Sequence, residues 1–126
     1  EALNRIGSDL VLLNGAEKLF NGEIEGILPD KIKLQMGSNR GFDFEVYTQD
    51  KIIYGEAFNA AESFCKEKMR QAIHKLITKS PDPDATIAIV MVNEDVKSIL
   101  IHYKNQLDIN SQIKILKMYV KTNKYE

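Results

Sequence analysis

Two acidic side chains stand where a half-buried hairpin would not be expected to carry them: Asp43 in GFDFEVYT and Glu56 in IIYGEAF. Side chains alternate with period two along a strand. Phe42, Phe44 and Val46 are therefore expected on one face of the first strand, with Asp43, Glu45 and Tyr47 on the other; Ile52, Tyr54, Glu56 and Phe58 share a face of the second. If the strands pair with Asp43 and Glu56 on a common face, two carboxylates converge where the chain enters its longest helix. Like charges that close repel unless something positive lies between them. A hard divalent cation, Mg²⁺ or Mn²⁺, with oxygen ligands at about 2.1 Å for the former, is the usual solution. The pair is thus a candidate metal site, and solvated surface carboxylates are the simpler alternative. Glu45 reads as a surface residue.

The elements that must position this pair follow from periodicity. Leu3, Ile6, Leu10 and Leu13 recur at helical spacing, with AEKLF able to continue the helix for another turn. GEIEGILPDKIKLQM is rich in strand formers, is broken at Pro29-Asp30, and predicts two short extended pieces. Residues 42–58 predict an antiparallel hairpin turning at QDK. The spacing of Ala61, Phe64, Cys65, Met69, Ala72, Ile73, Leu76 and Ile77 predicts a helix over 60–79 with Asn59 as its N-cap, ending at SPDPD. TIAIVMV is apolar on both faces, as a strand covered from two sides is, and should be central. Asn93 or Asp95 could cap a further helix carrying Val96, Ile99, Leu100, Tyr103 and Leu107, and QIKILKMYVK predicts a last strand. The expectation is one α/β domain over residues 1–126 in the order αβββαβαβ, a central mixed sheet flanked by helices. The start at Glu1 rather than Met leaves room for a preceding segment.

Composition limits what such a domain could do. Seventeen basic and 18 acidic side chains leave no overall positive field to gather nucleic acid, so DNA binding would need a local patch. The basic helix carrying Lys66, Lys68, Arg70, Lys75 and Lys79 offers one, as do the tail lysines Lys114, Lys117, Lys121 and Lys124; a solvated face explains either equally well. One cysteine, Cys65, excludes an internal disulfide and a cysteine-based zinc site, and a reducing, cytoplasmic setting is expected. Cys65 lies on an apolar stripe and should pack as a small hydrophobe. His74 and His102 have no partner at ligand spacing. No run is long enough to span a membrane, so no membrane association is expected. GSNRG, with Arg40, lacks the pattern of a phosphate-cradling loop.

Asp43 followed by Glu56-Ala57-Phe58, on a hairpin between a first and a second helix, resembles the PD-(D/E)xK, restriction-endonuclease-like, nuclease superfamily. The resemblance covers most of the chain in element order but only a few residues of motif. It implies that Asp43 and Glu56 are metal ligands, with the Ala57 carbonyl as a third, in a metal-dependent nuclease hydrolysing phosphodiester bonds in DNA. The family's motif lysine is replaced by Phe58. Some members supply that lysine from the next helix, where Lys66 and Lys68 stand, and Lys68, at the border of the apolar stripe, is the better placed. The other implication is a catalytically inactive module of the same fold that binds a protein or nucleic-acid partner. A homodimer follows by analogy with nucleases that cut two strands.

Overall fold

The apolar runs sort into two layers of core separated by a sheet. The computed structural model describes residues 2–36 and 41–122; Arg40 and Lys124 lie outside them. In chain order the elements are α1 (Ala2–Phe20), β1 (Lys31–Leu34), β2 (Phe44–Tyr47), β3 (Ile52–Phe58), α2 (Cys65–Thr78), β4 (Ile87–Asn93), a 3₁₀ turn (Glu94–Val96) running into α3 (Lys97–Leu100), α4 (Gln106–Asn110) and β5 (Lys114–Val120). The five strands form one open mixed sheet in the order β1-β2-β3-β4-β5, antiparallel from β1 to β3 and parallel from β3 to β5. No helix of the described residues is long and apolar enough to cross a membrane.

The strand β4 shows why both layers are needed. Ala88, Val90 and Val92 pack into a cluster with Met69, Ile73 and Leu76 of α2, while Ile89 and Met91 pack against Val11, Leu12 and Leu19 of α1. Alternate residues of one strand thus enter opposite cores, which accounts for its unbroken apolar run. As the sequence implied, β4 lies inside the sheet, between β3 and β5.

Where the structure departs from the expected elements, a specific contact is responsible. Helix α1 forms, but Ile6, Leu10 and Leu13 are 56%, 38% and 44% exposed. Its buried face carries Val11, Leu12, Gly15 and Leu19 instead. Close approach selects that face: a Cβ on Gly15 would lie 2.5 Å from Met91 Sδ, and one on Gly7 2.6 Å from Asn59 Nδ2. Helix α2 begins at Cys65, not at 60, with Phe64 at the N-cap position. Asn93, buried at the end of β4, accepts from the Ala60 N–H at 2.8 Å and donates to the Ala60 carbonyl at 3.0 Å. The Ala60 carbonyl, which a helix starting at 60 would offer to the Phe64 N–H, is thus held by Asn93 while that N–H bonds to the Ala61 carbonyl, and Asn59 donates its own N–H to Ser8 Oγ rather than capping α2.

The same asparagine does not cap the segment after β4; its side chain makes no cap bond there. The single helix expected around 96–107 is two short ones, because Lys117 Nζ donates to the carbonyls of Leu100 and Tyr103 and closes α3. Asn105 then caps α4, accepting from the Leu107 N–H at 2.9 Å. Of the two extended pieces expected over 22–36, only β1 is a strand; Gly22 and Gly26 adopt positive φ and fold the earlier piece into turns.

Candidate functional site

The sheet opens where the two acidic residues lie. Register between β2 and β3 runs from Tyr47↔Ile52 to Phe44↔Gly55 and stops, whereas β3 continues alongside β4 through Phe58↔Val92. At this last paired position the fully buried Phe44 ring covers Gly55: a Cβ there would lie 2.0 Å from Phe44 Cζ. Beyond this point β2 has departed, and the freed edge of β3 over Glu56, Ala57 and Phe58 faces the chain just before β2. Phe42 has changed sides as a result. It packs in the α2-side cluster while Phe44 and Val46 pack in the α1-side cluster, so the simple alternation expected from FDFEV breaks at the residue between them, Asp43.

Asp43 and Glu56 meet in this opening by reciprocal hydrogen bonds to backbone. Asp43 Oδ2 accepts from the Ala57 N–H at 2.8 Å, and Glu56 Oε2 accepts from the Asp43 N–H at 3.0 Å. In extended backbone the N–H and C=O of a residue point to the same edge, so the Ala57 carbonyl is also turned toward Asp43. Glu56 Oε1 forms an ion pair at 3.2 Å with Lys75 Nζ, whose ammonium also lies 5.5 Å from the centre of the Phe42 ring. The Phe42 ring in turn packs on Tyr54, with centroids 5.2 Å apart.

The electrostatics follow from burial and like charge. Glu56 is pushed up to about 7, first by burial and then by the Asp43 carboxylate, against the opposing effects of the Asp43 N–H and Lys75. Burial likewise raises Asp43, with Asp9 of α1 adding to the rise, while the Ala57 N–H and Lys75 hold it down. Two carboxylates that resist ionisation in one opening, with one ammonium beside them, form a site that gains from additional positive charge. The donor set suited to a hard cation is two carboxylates and a backbone carbonyl. Among the described residues no group of three or more His, Cys, Asp or Glu side chains is arranged to hold a metal ion.

The residues singled out from sequence are distributed unevenly around this point. Asp43, Glu56 and Ala57 are together. Lys68 is half-buried and lines a cleft of about 260 Å³ with Glu56, Phe58, Gln71 and Lys75. It forms no ion pair with either carboxylate, and neither does the exposed Lys66. Glu45 is occupied elsewhere, accepting from the Tyr47 hydroxyl at 2.7 Å. Sequence reasoning gives Lys75 only as part of a basic helix face, not as the partner of Glu56, and does not name Asp9. Lys75 follows Lys68 by seven residues, two helical turns along the same face, and that spacing was a legible signal. Asp9 was hidden because the wrong face of α1 was assigned to the core. Arg70 is held by Glu67 on the outer surface of α2, which reduces the positive charge that helix presents. Comparison with known protein families, curated proteins and solved structures gives no significant match.

Proposed function

We propose that this domain is a divergent metal-dependent nuclease of the PD-(D/E)xK, restriction-endonuclease-like, type, hydrolysing phosphodiester bonds in DNA. The observation that carries this reading is the meeting of Asp43, Glu56 and Lys75 where β2 parts from β3. Asp43, Glu56 and the Ala57 carbonyl would hold Mg²⁺ or Mn²⁺. The chemistry supplied there would be polarisation of a phosphoryl oxygen and a lowered pKa for the attacking water. Lys75 takes the part that Phe58 cannot perform: its ammonium faces the carboxylates from α2 and would balance charge developing on the phosphate. Lys68, which lines the same cleft, would contact a neighbouring phosphate, with the exposed Lys66 near it on the helix.

One observation favours the second reading, a catalytically inactive module of the same fold that binds a protein or nucleic-acid partner. The Lys75 ammonium at 3.2 Å offsets part of the Glu56 charge from the position a cation would take. Isothermal titration of Mn²⁺ into wild type, Asp43→Asn and Glu56→Gln separates the two readings. The nuclease reading expects binding to wild type alone, together with Mg²⁺-dependent nicking of plasmid DNA that is lost in Lys75→Met. A folded wild type that binds no Mn²⁺ and cuts no DNA refutes it in favour of the inactive module.

A further inference from the structure

A second feature lies at the far edge of the sheet from this opening. β5 pairs with β4 on one side, and among the described residues no strand pairs with its other side. The Lys114 N–H donates to the Thr86 carbonyl at 2.8 Å, so the backbone groups of Lys114, Leu116, Met118 and Val120 face inward toward β4. By the period of two, the N–H and C=O groups of Ile115, Lys117 and Tyr119 face outward. Along this edge runs a groove of about 630 Å³, lined by every residue from Ser111 to Lys117 and walled by Ile101, Lys104 and Ile109. Ile101 and Ile109 are 47% and 65% exposed.

An open ladder beside apolar side chains is the geometry in which an extended peptide adds a strand. The charges decide what kind. Lys104 and Lys114 line the groove and are exposed, Lys121 continues the edge, and the acidic lining residue Asp108 is half-buried. A second copy of β5 would bring the exposed Lys114 and Lys121 onto a seam with the same lysines of the other copy, which like-charge repulsion disfavours, whereas the Lys117 ammonium is held by the Leu100 and Tyr103 carbonyls. Nucleic acid would satisfy the lysines but has no donor and acceptor ladder to match the exposed backbone. We propose that the β5 edge docks an acidic, extended segment of a partner protein by strand addition, its main chain pairing with Ile115, Lys117 and Tyr119 and its carboxylates meeting Lys104 and Lys114.

The test uses a capped nine-residue peptide of alternating valine and glutamate, a valine–lysine counterpart, and a valine–glutamate version N-methylated at alternate residues to block one edge. Amide hydrogen exchange is followed residue by residue. The acidic peptide is expected to slow exchange at Ile115, Lys117 and Tyr119, while the lysine and N-methylated peptides do not. Lys104→Glu with Lys114→Glu, both at exposed positions, should weaken acidic-peptide binding by about tenfold or more with an unchanged circular dichroism spectrum. Three results overturn the proposal: unchanged exchange at these amides at millimolar acidic peptide; equal protection by the lysine peptide or by single-stranded DNA; or protection that grows with protein concentration when no peptide is present, which would assign the edge to a second copy of the chain.

Discussion

Replacing Glu56 by Gln tests whether the opening between β2 and β3 is an electrostatically strained site. The Glu56 side chain is only 12% exposed, and its pKa is raised from 4.5 to about 7. A raised carboxylate pKa contributes stability that is fully present below the unfolded value, near 4.5, and is lost as pH rises through the folded value, near 7. At about 1.4 kcal/mol per pKa unit the full loss is about 3 kcal/mol, and residual solvent screening reduces it to about 2. Glutamine keeps the shape and stays neutral throughout. Urea unfolding at pH 5 and pH 8 should show Glu56→Gln close to wild type at pH 5 and more stable by about 2 kcal/mol at pH 8, a rise in Tm on the order of 10 °C. If cation binding stabilises the ionised pair, Mn²⁺ at pH 8 should close the gap from the wild-type side. An equal difference between the two proteins at both pH values would refute the assigned ionisation cost, as would wild-type stability that increases from pH 5 to pH 8.

Other perturbations probe the frame around the site. Gly55→Ala should destabilise the domain by about 3 kcal/mol, because the new Cβ would strike the buried Phe44 ring, and chemical denaturation measures it. Asn93→Ala leaves the Ala60 N–H and carbonyl without their partners and should cost about 2 to 4 kcal/mol, with faster amide exchange at residue 60. Tyr119→Phe removes a buried hydroxyl that has no hydrogen-bond partner, and thermal melting should show it equal to wild type or more stable by about 1 kcal/mol.

Much of this architecture was legible because local pattern and tertiary environment agree. The both-faced apolar run of TIAIVMV identified an interior strand, the stripe from Cys65 to Leu76 identified the helix packed on it, and the alternation of IIYGEAF placed Tyr54, Glu56 and Phe58 on one face. The errors fall where a distant residue decides a local outcome. Nothing near Asn59 reveals that Asn93, 33 positions beyond Ala60, holds Ala60 out of helix. Nothing between Val96 and Leu107 reveals that Lys117 will close α3. In α1, apolar residues lie on more than one face, so periodicity could not choose between them; Gly7 and Gly15 marked the face of closest approach.

For the candidate site the division is equally physical. Sequence alone determined that two carboxylates flank a hairpin ahead of a lysine-bearing helix, since residue types and the period of a strand are local properties. Only the tertiary structure decided that β2 leaves β3 after Gly55, that Asp43 turns to the Ala57 N–H, and that Lys75 rather than Lys68 reaches Glu56. Those outcomes depend on how far apart packed elements come to rest. That distance is set by the sum of contacts across both cores, not by any one segment of the chain.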